Sequence, residues 1–225
     1  MIEAVVFDID NTLYDYETCN QAGSSAMSQA LCRYRQTDPE EFQRLLRQAK
    51  TDIKKNLENT AACHNRMLYA QRICELAGIR SASAALEMYN AYWDAFLGQM
   101  KLYDGVNAVF SFLKARRIKI GFCTDLTANI QMRKIVKLGL DEIPDAIVTS
   151  EECGREKPDK SMFLSILKKL ETAPESSIMV GDDYEKDICG AKACGMNAIL
   201  MGRARRDCDC AADFPELLTL LARGI

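Results

Sequence analysis

Two aspartates one residue apart, Asp8 and Asp10, follow directly on the apolar run Ala4-Val5-Val6-Phe7. A run of that length reads as a short buried strand. In an open α/β sheet, residues just past the carboxyl end of a strand face the ligand crevice. Chemically, the pair suits a nucleophile and a proton donor serving one reacting atom. Asp8 would attack and carry a covalent intermediate, and Asp10 would give and then take the leaving-group proton. Asp, Asn and Thr are also turn residues, so residues 7–12 alone fit a strand entering a polar turn equally well.

The same placement recurs along the chain. Thr124-Asp125 follows the strand-like run Ile118–Cys123, and Asp182-Asp183 follows Ile178–Gly181; Lys157 stands in the loop after Ala146–Thr149. Singly, each has a plainer reading: a helix cap for Thr124-Asp125, a turn for Gly181-Asp182-Asp183, a surface lysine, a solvated Asp187. Jointly, in this order and at strand ends, they predict one site holding several carboxylates, a hydroxyl and an ammonium. Carboxylates so gathered repel one another or take up protons unless a cation joins them. Oxygen ligands without His or Cys favour magnesium, and a phosphate is what the ion would hold.

Roles follow. Asp8 is nucleophile and metal ligand, Asp10 the general acid and base, and Thr124 a donor to the phosphoryl oxygens. Lys157 neutralises growing charge, Asp182 completes the metal shell, and Asp183 or Asp187 supports it. Asn11, Thr12, Asp125 and Lys157 are expected to contact substrate.

These tips need a sheet to bring them together. Five apolar strands alternating with amphipathic helices specify a Rossmann-like, doubly wound parallel α/β sheet covered on both faces. More than a hundred residues separate the first two strands, far beyond a crossover. Residues from about 16 to 98 read as helical throughout, with a start at Asp38-Pro39-Glu40-Glu41 and a stop at Gly78. The prediction is an α/β core of 1–15 and 101–225, interrupted by a bundle of about four helices at 16–100. One of these helices should bury Leu86, Tyr89, Trp93, Phe96 and Leu97. The helix after the second strand should turn Ala128, Met132, Ile135 and Val136 inward.

A composition of 48% hydrophobic and 27% charged residues is that of a globular protein, and a net charge of −3 gives no reason to expect a nucleic-acid partner. No segment reads as a signal peptide or membrane span, so a cytoplasmic location is expected. Ten cysteines lack any CxxC pair, and His64 is the single histidine. Most cysteines then read as small hydrophobes, with Cys208 and Cys210 as free thiols of a solvated loop. Arg203, Arg205 and Arg206 should lie in an exposed loop. Tyr14, Tyr16, Arg33 and Arg66 are candidates for substrate choice.

With these motifs in hand, the chain resembles the haloacid dehalogenase-like superfamily of hydrolases, mostly phosphatases. Asp8-Ile9-Asp10-Asn11-Thr12 is similar to its first motif, Thr124 to its second, Lys157 to its third, and Gly181-Asp182-Asp183 through Asp187 to its fourth. The resemblance implies that the four-helix bundle at 16–100 is a cap domain on a catalytic core of 1–15 and 101–225. It implies an aspartyl-phosphate mechanism with magnesium at Asp8, the Asp10 carbonyl and Asp182. It also implies phosphate hydrolysis over dehalogenation, because dehalogenases lack the second carboxylate. Asp125 departs from the Asn found in many relatives, which bears on substrate geometry. The function expected is hydrolysis of a small phosphomonoester, a nucleotide or sugar phosphate. A sugar phosphomutase and a non-catalytic phosphate-binding module are the alternatives.

Overall fold

A computed structural model describes residues 1–202 and 204–224; Arg203 therefore lies outside the described residues. The chain forms two compact units, Met1–Asp15 with Lys101–Ile225, and Tyr16–Met100.

The first unit is built on a six-stranded parallel sheet in the order β3-β2-β1-β4-β5-β6. The strands are β1 (Ala4–Phe7), β2 (Lys119–Thr124), β3 (Ala146–Thr149), β4 (Ser177–Gly181), β5 (Asn197–Met201) and β6 (Asp209–Ala211). β1 pairs in parallel with β2 on one side (Phe7 opposite Phe122) and with β4 on the other (Phe7 opposite Val180). All four β1 residues are fully buried, which explains an apolar run instead of an alternating one. Successive side chains still point to opposite faces. Val6 joins the cluster with Phe163, Ile166 and Leu170 of α7 (Lys160–Leu170), whereas Phe7 meets Phe110 of α5 (Val106–Ala115) edge-on at 5.2 Å. Each such side chain, fully buried, contributes about 1.5–3 kcal/mol.

Two expectations need correction here. β6 is a strand that the sequence hides: three residues, Asp-Cys-Ala, carry no apolar run. Cys210 therefore lies in a strand, with its Sγ 3.7 Å from that of Cys208. The second concerns α6 (Ala128–Lys137), where Met132 and Val136 are exposed and the buried face is Ile130, Gln131, Lys134 and Ile135. A polar pair takes the inward stripe because it has partners in the site, described below.

The second unit contains α1 (Tyr16–Cys32), α2 (Pro39–Leu57), α3 (Arg66–Leu76) and α4 (Ala82–Gln99), with a 3-10 turn at Ala61–His64. Asp38 caps α2 by accepting the Glu41 N–H, and Gly78 takes φ +72° just past α3. α1 and α4 approach closely at Gly23, where a Cβ would lie 2.9 Å from the Tyr92 ring and carbonyl. α4 buries Ala84, Ala85, Met88, Tyr92, Trp93 and Phe96, while Leu86 is half exposed. Arg33 is exposed, but Arg66 is buried. Its guanidinium lies 5.1 Å from the Tyr92 ring centre and 5.7 Å from that of Trp93, and it donates to the Tyr16 hydroxyl. Among the described residues, no helix is long and apolar enough to cross a membrane.

Candidate active site

The parallel sheet carries the carboxyl ends of β1, β2 and β4 to one edge, and the acidic and basic residues gather there. After β1 the chain turns at Asn11, which takes a left-handed φ of +62°, a conformation Asn tolerates better than most residues. The turn folds Thr12 back, so that its hydroxyl lies 3.2 Å from Asp8 Oδ2 and 3.3 Å from Asp182 Oδ1. Lys157 Nζ donates to Asp8 Oδ1 at 2.6 Å and to Asp187 Oδ1 at 2.7 Å, and all three residues are buried. Ligand oxygens of Asp8, Asp182 and Asp187 lie within 4.8 Å of one another.

Asp187 is held in place from both sides. Its Oδ1 accepts from Lys157 and its Oδ2 from the Asp183 N–H at 3.1 Å. The π-helical turn Tyr184–Cys189 sets this geometry, capped by Asp183, whose Oδ1 accepts the Glu185 and Lys186 N–H groups. Gly181 has no side chain because there is no room for one; a Cβ there would overlap the Asp187 carboxylate. Asp183 thus serves the backbone, while Asp187 orients Lys157.

The charge balance is uneven, with three clustered carboxylates facing one ammonium. Burial first, then the neighbouring Asp187 and Asp10 charges, push Asp8 up to about 7 against the pull of Lys157. Burial and the Asp8 charge push Asp182 up to about 6, and burial also raises Asp187. Burial opposes the charge on Lys157, yet Asp187, Asp8 and Asp125 outweigh it and hold its pKa well above the usual lysine value. A cluster in this state either binds protons or accepts a cation. Asp8 Oδ2 and Asp182 are bonded only through the Thr12 hydroxyl among the contacts above, so this oxygen-only set fits a hard divalent ion.

Asp10 faces a different group. Lys134 Nζ donates to both of its carboxylate oxygens at 2.7 Å, and the Tyr14 hydroxyl donates to Oδ1 at 2.6 Å. Lys134 is fully buried on the inward face of α6. One turn earlier, Gln131 donates to the Thr124 hydroxyl oxygen at 2.9 Å and to the Asp125 carbonyl at 2.6 Å. The Thr124 oxygen thereby acts as acceptor, while its own proton goes to the Asp125 carbonyl at 3.4 Å, a long bond that a ligand oxygen would have to replace. Sequence reasoning missed Lys134 and Gln131. The available signal was a polar pair at i and i+3 flanked by Ile130 and Ile135, a spacing that puts all four on one helical face.

Asp125 has both oxygens engaged, Oδ1 with the Lys157 N–H at 2.9 Å and Oδ2 with Lys186 Nζ at 2.8 Å. Asn11 and Thr12 instead line a cavity of about 500 Å³ together with Tyr103, Asp104, Asp182 and Asp213. Arg205 pairs with Asp207 at 3.0 Å.

The chain belongs to the haloacid dehalogenase-like hydrolase family, whose model matches residues 5–201, and it is a hydrolase of phosphate esters. It is 40% identical over 205 residues to a ribulose-1,5-bisphosphate 5-phosphatase of Halopiger xanaduensis, covering 89% of this chain and 84% of that protein. A glyceraldehyde 3-phosphate phosphatase of Methanopyrus kandleri is 30% identical over 206 residues, covering 91% and 86% of the two chains. In fold it is similar to the 2-haloacid dehalogenase of Pseudomonas syringae pv. Tomato, with a TM-score of 0.80, 23% identity and full coverage of both chains.

Proposed function

We propose that this chain is a magnesium-dependent phosphatase of small sugar phosphates, working through an aspartyl-phosphate on Asp8. The observation that carries the reading is the Lys157 ammonium bridging Asp8 Oδ1 and Asp187, which leaves Asp8 Oδ2 toward Thr12 and Asp182. A carboxylate so fixed is a prepared nucleophile.

In the first step Asp8 forms a bond to phosphorus while the ester oxygen leaves with a proton from Asp10. In the second, Asp10 takes a proton from water, which attacks the aspartyl-phosphate and releases phosphate. Lys134 and Tyr14 hold the Asp10 carboxylate in one orientation as an acceptor, the form needed for the second step. The Thr124 hydroxyl and Lys157 stabilise the phosphoryl oxygens. Magnesium, held by Asp8, Asp182 and the Asp10 carbonyl, would neutralise phosphate charge when bound.

Sugar phosphates are favoured because the two sequence relatives are named for a sugar bisphosphate and a triose phosphate. The inserted helical unit, as a cap, is the natural source of substrate choice, and a cytoplasmic setting suits such a metabolite. The test is turnover of p-nitrophenyl phosphate and a sugar-phosphate panel with magnesium, in wild type and Asp8→Asn, using ¹⁸O-labelled water. Label in the released phosphate, lost in the variant, is the expected result. Phosphoryl transfer between sugar positions without label release would make the chain a mutase. Metal and phosphate binding without turnover would make it a binding module.

A further inference from the structure

The surroundings of Asp125 form a closed circuit. Its Oδ1 accepts the backbone N–H of Lys157, and its Oδ2 pairs with Lys186 Nζ. Lys186 also reaches Glu156 Oε2 at 3.4 Å; Glu156 is buried and immediately precedes Lys157. Lys186 in turn immediately precedes Asp187, which accepts from Lys157 Nζ at 2.7 Å. Lys157 is thus gripped at both ends: its main chain by the end of β2, its ammonium by Asp8 and the π-helical turn. The Asp125–Lys186 pair ties those two grips together.

The hydrogen-bond chemistry makes the two residues interdependent. An amide at 125 could keep the Lys157 N–H bond through its carbonyl oxygen, but its NH₂ would then confront an ammonium, donor against donor. A carboxylate accepts from both. Conversely, without a cation at 186 Asp125 Oδ2 loses the ammonium that it accepts from.

We infer that Asp125 and Lys186 act as one charge-matched positioning pair that sets Lys157 against Asp8, and that Asp125 is not a substrate contact. The inference rests on the phosphatase reading for its consequence in turnover, though not for the pairing itself. A double-mutant cycle on the full chain tests it, using Asp125→Asn, Lys186→Gln and both together. In the double variant the amides match, because Gln can accept from the Asn NH₂ and donate to Glu156.

With magnesium and p-nitrophenyl phosphate, each single change should lower kcat about tenfold while KM moves little, and the double should recover to within about threefold of wild type. Hydrogen exchange of the Lys157 amide should quicken in each single variant and slow again in the double, whatever the activity. Losses that multiply in the double variant, a harmless Asp125→Asn, or an effect confined to KM would each overturn the pairing. If wild type hydrolyses no phosphate ester, the phosphatase reading falls and the exchange data alone decide the pair. If Asp125→Asn fails to fold, refolding of the double variant supports the pair and its failure to fold overturns it.

Discussion

Raising pH in the absence of divalent metal should destabilise this protein, an unusual direction for an acidic chain. Asp8, pushed up to about 7, and Asp182, pushed up to about 6, keep protons in the folded state that they lose in the unfolded one. Stability from such groups is complete below their unfolded value of 3.8 and is lost as pH climbs through the folded one. Surface carboxylates held low, such as Asp52 and Asp159, act oppositely, but their contribution is essentially complete above about pH 5. Between pH 5 and 8, Asp8 then costs about 3 kcal/mol and the partly solvated Asp182 about 1 kcal/mol, as upper bounds. For a chain of this size that is a fall in Tm of roughly 10 °C. Magnesium supplies the missing positive charge, so its stabilising effect should be small at pH 5 and grow toward pH 8. Calorimetry or fluorescence melts at several pH values, with chelator or with magnesium, read both trends. Asp8→Asn should flatten the metal-free curve. A metal-free Tm that is level or rising from pH 5 to 8, or a magnesium shift of equal size at both ends, would refute the charge balance assigned to the cluster.

Two further outcomes are expected. Lys134→Met removes the cation from Asp10, which stays partly exposed and keeps its Tyr14 bond, so the loss is about 1.5–3 kcal/mol; denaturant melts should show that loss, with kcat reduced more than KM is raised. Gly181→Ala forces the Asp187 carboxylate aside, which frees one side of Lys157. A drop in kcat of at least about tenfold with the sheet intact by circular dichroism is expected, and full activity would show that Asp187 has room to move.

What the sequence made legible was the set of strand ends. Asp8, Thr124 and Asp182 each follow an apolar run that is too short for a helix, and a parallel sheet leaves such residues few other places to go. Lys157 was readable from its position after β3. Lys134 was not, because it lies 124 residues from Asp10 and a lysine in an amphipathic helix ordinarily marks the wet face. Its inward position depends on a partner that only the tertiary fold supplies. β6 escaped for a related reason, since three residues on a sheet edge need no hydrophobic pattern. The role of Asp125 was obscured because its cation, Lys186, arrives from another strand end.

The short stitches at the base of the insertion have a consequence for how the chain tolerates change. The Tyr103 N–H donates to the Leu13 carbonyl at 2.9 Å, and Tyr14 bridges Leu102 in antiparallel fashion, so the points where the chain departs and returns are fastened side by side. With those ends already clasped, what is threaded between them hardly burdens the sheet; doubling a flexible span adds only about 0.6 kcal/mol of closure entropy. The α/β unit thus closes on itself at the place where residues 16–100 leave and return.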